Sequence, residues 1–235
     1  MDIIFPEYEE FHTKVAFYRI PKNASTSIYD HLGYTNLILH HIEDLTKKVD
    51  YRVYRKTFDP SHVKPDEFKD LIVGENLKDL FSFCVVRNPW DRAVSMYLHA
   101  VDNDFKKAYG VSRDLTFDFF CHYSKERMND PNFIGTHKQV EWTQGKYPPK
   151  TILRFENIND EFSNMVKYHN LVTVGPTLPH KNKTNHTHYS DYYNIETKKL
   201  IAQIFEEDID TFNYSFNQKG VDCPEPKGQQ GSLRI

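Results

Sequence analysis

Residues 81–86 read Phe-Ser-Phe-Cys-Val-Val and run directly into Arg87-Asn88-Pro89. A six-residue run so nearly filled with apolar side chains is the mark of a strand buried on both faces. Pro89 suits the first position of a helix, and Asn88 before it can cap that helix. Ala93, Val94, Tyr97, Leu98 and Val101 then fall on one helical face. The same order recurs along the chain. Residues 15–20 and 151–155 read as strands, each followed by a helical pattern. Asn159 is expected to cap a helix carrying Phe162, Met165 and Val166. Asn194 is expected to cap the last helix, with Leu200, Ile201, Ile204 and Phe205 at helical spacing. Strand–helix alternation of this kind predicts an α/β protein with a parallel sheet.

The chain has 235 residues, enough for one or two domains, and about a quarter of them are Leu, Ile, Val or Phe. That suffices for a packed core. The expected organisation is an N-terminal extension over 1–13, a single domain over 14–216 and a disordered tail over 217–235, where Pro224, Pro226, Gly228 and Gly231 crowd together. No apolar run reaches the ~18 residues of a membrane helix, and the acidic N-terminus (Asp2, Glu7, Glu9, Glu10) is unlike a secretion signal. Three scattered cysteines exclude a disulfide scaffold and a cysteine-rich zinc site. A net charge of -3 supplies no global field for nucleic acid. The nine glycines include no Gly-x-Gly, and the Gly145-Lys146 pair is followed by tyrosine, so the Rossmann and Walker A phosphate loops are both missing.

Two segments nevertheless carry phosphate-binding chemistry. The first strand leads into Pro21-Lys22-Asn23-Ala24-Ser25-Thr26-Ser27 and then into an amphipathic pattern from Ile28. A helix N-terminus offers unpaired N–H groups and a partial positive charge to an anion. Lys22 adds an ammonium, and three consecutive hydroxyls add donors. The plain alternative is a helix capped by Ser25 with a surface lysine. In the second segment Arg87 leaves the end of the buried strand, where open α/β sheets place their ligand crevice, and Ser95 follows two helical turns on. Its guanidinium offers a planar fork to a phosphate. The plain alternative is a structural pair, Arg87–Asp91 or Asp91–Arg92.

Taken together, these segments resemble the sulfotransferases. Pro21-Lys22-x-x-Ser25-Thr26-Ser27 is similar to their 5′-phosphosulfate loop. Arg87-Asn-Pro-Trp-Asp-Arg-Ala-Val-Ser95-Met-Tyr is similar to their 3′-phosphate motif. Arg154-Phe-Glu156-Asn, Leu178-Pro-His-Lys-Asn182-Lys-Thr, the Tyr189-x-x-Tyr192-Tyr193 run and the ending Asp208-Ile-Asp-x-Phe212-x-Tyr-x-Phe216 extend the likeness over about residues 14–216. Its flavour is that of carbohydrate sulfotransferases of the heparan sulfate 2-O-sulfotransferase type. The resemblance implies a P-loop-NTPase-like three-layer fold, with a central, mostly parallel sheet flanked by helices. It implies 3′-phosphoadenosine 5′-phosphosulfate (PAPS) as cosubstrate, no metal, and an acceptor hydroxyl, on a saccharide. Lys22 would stabilise charge on the bridging oxygen as the sulfuryl group leaves. Asn23, Ala24, Ser25, Thr26 and Ser27 would form the 5′ site, and Arg87 and Ser95 would hold the 3′-phosphate. Lys181 and Lys183 would form a basic loop near the nucleotide or an anionic acceptor. With no leader or anchor in the sequence, a cytoplasmic enzyme of bacterial or viral origin is expected, with no nucleic acid or membrane partner.

The acceptor hydroxyl must lose a proton as it attacks. Ser61-His62-Val63 resembles the segment that carries the catalytic histidine in the 2-O-sulfotransferase type, and imidazole titrates near neutral pH. Glu67, His40 and His41 are the alternatives, and His62 preceding a helix near Pro65 is the plain one. His180, His186 and His188 lack the fixed spacing of a metal site. Gln139 and Trp142 fall where the family often lines its acceptor cleft. Two other readings stay open. A kinase on the same type of fold would require ATP and Mg²⁺. A catalytically inactive nucleotide-binding module would show no turnover.

Overall fold

A computed structural model describes residues 15–32, 62, 64, 81–103, 114–171, 173–175, 178 and 187–217. Among the described residues three strands, β1 (Val15–Tyr18), β2 (Phe81–Val86) and β3 (Thr151–Arg154), form a parallel sheet in the order β1-β2-β3. Six α-helices flank it among the described residues: α1 (Ser25–Leu32), α2 (Pro89–Asp102), α3 (Phe117–Glu126), α4 (Ile158–Tyr168), α5 (Ile195–Ile204) and α6 (Glu206–Phe212). The parallel α/β architecture expected from the alternation is the one observed, with β2 in the centre.

Every residue of β2 is buried, as its apolar run requires. Phe17 and Phe83 stack across the β1–β2 pair with ring centroids 4.6 Å apart. Ile28 and Leu32 of α1 and Phe162 and Met165 of α4 join the core built on the sheet. A second core lies among α2, α3 and α5, where Ala93 and Val94 meet Phe120, Ile201 and Ile204. None of these helices is long and apolar enough to cross a membrane.

Element ends depart from the sequence reading in four places. β1 stops at Tyr18, where the Ile20 N–H turns back to the Tyr18 carbonyl at 3.1 Å. β3 stops at Arg154, and Phe155 begins a 3₁₀ turn, Phe155–Asn157. That turn runs straight into α4 and receives the Ile158 N–H on the Phe155 carbonyl, so α4 starts at Ile158 without a side-chain cap from Asn159. Asn194 does cap α5, accepting from the Thr197 N–H at 2.8 Å. However, α5 ends at Ile204 and is not the last helix. Phe205 breaks it, and α6 begins with three acidic residues, which suit a helix N-terminus. The expected tail beyond 217 lies outside the described residues.

Candidate active site

Because β1 and β2 are adjacent and parallel, the turns that follow them leave from the same end of the sheet. Tyr18 pairs with Cys84, so three residues further on Pro21 and Arg87 occupy equivalent places. In the first turn Lys22 and Ala24 take left-handed backbone, with φ of 67° and 58°. α1 then begins at Ser25, so Ser25 is a helical residue and not its cap. Ala24, which precedes it, has no side-chain oxygen to spend on the first-turn N–H groups. Ser25 and Ser27 are buried and Thr26 is exposed.

Lys22 is partly buried. Burial, and after it the positive Arg87, lower its ammonium to about 8 against the opposing pull of Asp102. A lysine in this state gains from any anion placed beside it, because the anion restores the charge that burial disfavours.

The second turn is built by local rules. Asn88 accepts from the Trp90 N–H at 3.1 Å and Pro89 opens α2. The motifs near the C-terminus close around it. The Asn88 N–H donates to Glu156 at 2.6 Å, and Asn88 Nδ2 donates to the Ser215 carbonyl at 2.9 Å. Tyr214 donates to the same Glu156 at 3.1 Å, and Tyr193 donates to the Trp90 carbonyl at 2.8 Å.

Arg87 is buried, packed over the Phe155 ring at 4.0 Å. Its Nε and Nη2 donate to the two Asp91 oxygens at 2.8 and 2.9 Å, and its Nη1 donates to the Lys22 carbonyl at 2.9 Å. The structural pair and the placement beside the first turn therefore coexist. A guanidinium has five N–H donors, and these three bonds leave two for a ligand. Ser95 is half-buried further along α2.

His62 sits beside the entry to the first turn. Its Nδ1 lies 2.6 Å from the Arg19 carbonyl oxygen. A carbonyl only accepts, so Nδ1 carries the proton and the lone pair of the neutral ring is on Nε2. Trp142 Nε1–H donates to the His62 carbonyl at 3.2 Å. Lys64 pairs with Glu141 at 2.5 Å. Burial raises the Glu141 carboxyl, but hydrogen bonds from His137, Lys64 and the Lys138 N–H outweigh it and hold the group at about 2. The His62 segment is thus fastened to the 3₁₀ turn Gln139–Trp142.

That turn corrects an expectation. Gln139 and Trp142 are both fully buried and line no acceptor cleft. Gln139 instead joins the two turns. Its Oε1 accepts from Asn23 Nδ2 at 2.7 Å and from the Arg87 N–H at 2.9 Å, and its Nε2 donates to the Arg87 carbonyl at 2.8 Å. Arg92 is also fully buried, donating to the Pro21 carbonyl at 3.1 Å and the His137 carbonyl at 3.0 Å. Asp208 receives the N–H groups of Gln139 and Val140 at 2.9 and 3.0 Å. Burial lifts the Asp208 carboxyl to about 6, with Arg92 and these N–H groups pulling the other way. Arg92 and Asp208 carried a sequence signal only as members of motifs. His99, on α2 beyond Ser95, was missed altogether. It is largely exposed, and partial desolvation and the nearby Lys22 lower its imidazole against the pull of Asp102. Lys181, Lys183, Glu67, His40 and His41 lie outside the described residues.

No curated protein sequence and no solved structure matches the chain. A family model does, that of the Sulfotransferase family, over residues 8–215. The match spans the turns after β1 and β2 and the C-terminal motifs that close on Asn88. The chain belongs to the sulfotransferase family and is an enzyme of sulfuryl transfer.

Proposed function

We propose that the enzyme moves the sulfuryl group of PAPS to a hydroxyl of a saccharide. The observation that carries this reading is the contact between the two turns. Arg87 donates to the Lys22 carbonyl at 2.9 Å, so a 3′-phosphate on Arg87 and a 5′-phosphosulfate on the Lys22 turn can belong to one nucleotide. Ser25, Thr26 and Ser27 open α1, whose N–H groups face the 5′ anion, and Ser95 supports the 3′ anion with Arg87.

In the reaction the acceptor oxygen attacks sulfur while the bond from sulfur to the bridging oxygen of the 5′-phosphate breaks. The acceptor proton passes to Nε2 of His62, which the Arg19 contact leaves as the basic nitrogen. Charge gathers on the bridging oxygen, and the Lys22 ammonium meets it. Such a loose transition state is stabilised by placement and electrostatics. A kinase reading has no comparable support, since the turn after β1 holds neither the Walker A glycines nor its Lys-Ser/Thr pair.

The test is transfer of labelled sulfate from PAPS to a panel of saccharides, without added metal. Transfer is expected with the wild type. His62→Gln keeps the side chain polar and of similar size but cannot take a proton, and is expected to lower turnover about 10²–10⁴-fold. Phosphate transfer from ATP with Mg²⁺, and none from PAPS, would overturn the reading. Wild-type turnover in His62→Gln would remove His62 as base and leave the donor assignment standing.

A further inference from the structure

We propose that Gln139 is a positioning residue of the donor site, setting the separation of the two anion-binding turns, and that Asp208 in turn fixes Gln139. The inference rests on the donor reading above and deepens it.

Gln139 offers nothing to a ligand, since it is fully buried. Its partners give it its role. The Arg87 N–H can only donate and the Arg87 carbonyl can only accept, so the amide has one orientation, pairing with the Arg87 backbone as a neighbouring strand would. The same Oε1 accepts from Asn23, whose Nδ2 also reaches the Val85 carbonyl at 2.6 Å. Asn23 stands between Lys22 and Ala24, both in left-handed backbone. Non-glycine residues hold that conformation when their surroundings over-determine it. One buried amide therefore touches the residue that aims the 3′ anion site and the residue at the centre of the 5′ turn. The Asp208 carboxylate holds the backbone of Gln139 and Val140 with both oxygens, which fixes where that amide stands.

The consequence is specific to a ligand with two anions. Two sites gain from a linked ligand only when their spacing matches it. Displacing one turn against the other loses that gain even where each turn still binds. The experiment compares adenosine 5′-monophosphate with 3′-phosphoadenosine 5′-phosphate by calorimetric titration, well below the unfolding temperature. The wild type is expected to prefer the bisphosphate. In Gln139→Leu that preference, taken as the ratio of the two dissociation constants, is expected to fall about tenfold or more. Gln139→Glu keeps the acceptor but sets an oxygen against the Arg87 carbonyl, and is expected to lose preference too.

An unchanged ratio in a folded variant would overturn the inference and leave the donor reading intact, because a merely structural residue alters stability and not the ratio. No preference in the wild type would overturn the donor reading and the inference with it. If neither variant folds, Gln139 is scaffold and the inference fails.

Discussion

The turn after β1 sets Lys22 and Ala24 at φ of 67° and 58°, whereas the turn after β2 passes through Asn88 at φ −48° into a helix opened by proline. The second turn has local determinants beside its distant ones, since Glu156, Ser215 and Gln139 also bond to it. Its cap, its proline and its Arg87–Asp91 pair lie within five consecutive residues. The first turn is held from outside. Arg92 holds the Pro21 carbonyl, Arg87 the Lys22 carbonyl, and Gln139 the Asn23 side chain. Three consecutive residues are thus fixed by side chains that lie 71, 65 and 116 positions away. A turn that enters left-handed backbone without glycines needs such external support, since it does not rest in that shape unaided.

The largest expected effect separates the two arginines of the second motif. Arg92→Met removes a fully buried guanidinium and leaves the Asp208 carboxylate without its opposing charge. We expect a loss of about 3–5 kcal/mol in denaturant unfolding. Arg87→Met is expected to cost about 2 kcal/mol or less of stability, but to weaken 3′-phosphoadenosine 5′-phosphate binding about tenfold or more. Equal nucleotide affinity in Arg87→Met would remove the second turn from the binding site and end the comparison.

Lys22 tests the first turn directly. Lys22→Ala is expected to lower turnover about 10²–10³-fold, the loss typical of one preorganised charged donor. The pH dependence sharpens this. With its pKa lowered to about 8, the Lys22 side chain is cationic below that pH and neutral above it. With the cation in the role proposed for it, kcat/KM for the donor is expected to fall as pH rises through about 8. The limb in kcat should lie higher, because the bound anion favours the ammonium. In Lys22→Arg, where the charge persists, the limb should vanish. A limb that survives Lys22→Arg belongs to another group.

Asn88→Ala is the local counterpart. It removes the cap on Trp90 and the bond to Ser215, and is expected to cost about 1–2 kcal/mol of stability. The Lys22 limb near pH 8 should stay where it is. A shift in that limb would mean that the cap also governs the first turn.

The two turns also differ in what the sequence reveals of them. Asn88, Pro89 and the apolar run before them act within a few residues, so β2, the start of α2 and Arg87 at the strand end were legible. Lys22 and the hydroxyls after it were legible as a motif, but the backbone that aims them was not. Its determinants, Gln139, Arg92 and Asp208, act across the chain, and no local pattern announces a glutamine that imitates a strand neighbour. Gln139 was placed at the acceptor cleft by the family resemblance alone, whereas its amide is buried with its hydrogen bonds made. The misplaced cap at Asn159 has a local origin instead, since the preceding 3₁₀ turn already received the Ile158 N–H.

The smallest effect concerns the strain that external support holds in place. An L-residue in left-handed backbone costs about 1–2 kcal/mol, which glycine avoids. Glycine also adds freedom to the unfolded chain, worth about 0.5–1 kcal/mol against the fold. For Ala24, at φ 58°, the difference runs from about zero to about 1.5 kcal/mol in favour of Ala24→Gly, with its middle a little under 1 kcal/mol. In a domain of this size that is a rise in Tm of about 2–4 °C. The same substitution at Asn88, where φ is negative, relieves nothing, weakens the cap and removes the bond to Ser215, a loss of about 1 kcal/mol or more. Opposite signs at the two positions are therefore expected from thermal unfolding. If Ala24→Gly lowers Tm, the methyl group is worth more in packing than the backbone strain it imposes, and the turn after β1 is held by its own contacts as much as by Arg92, Arg87 and Gln139.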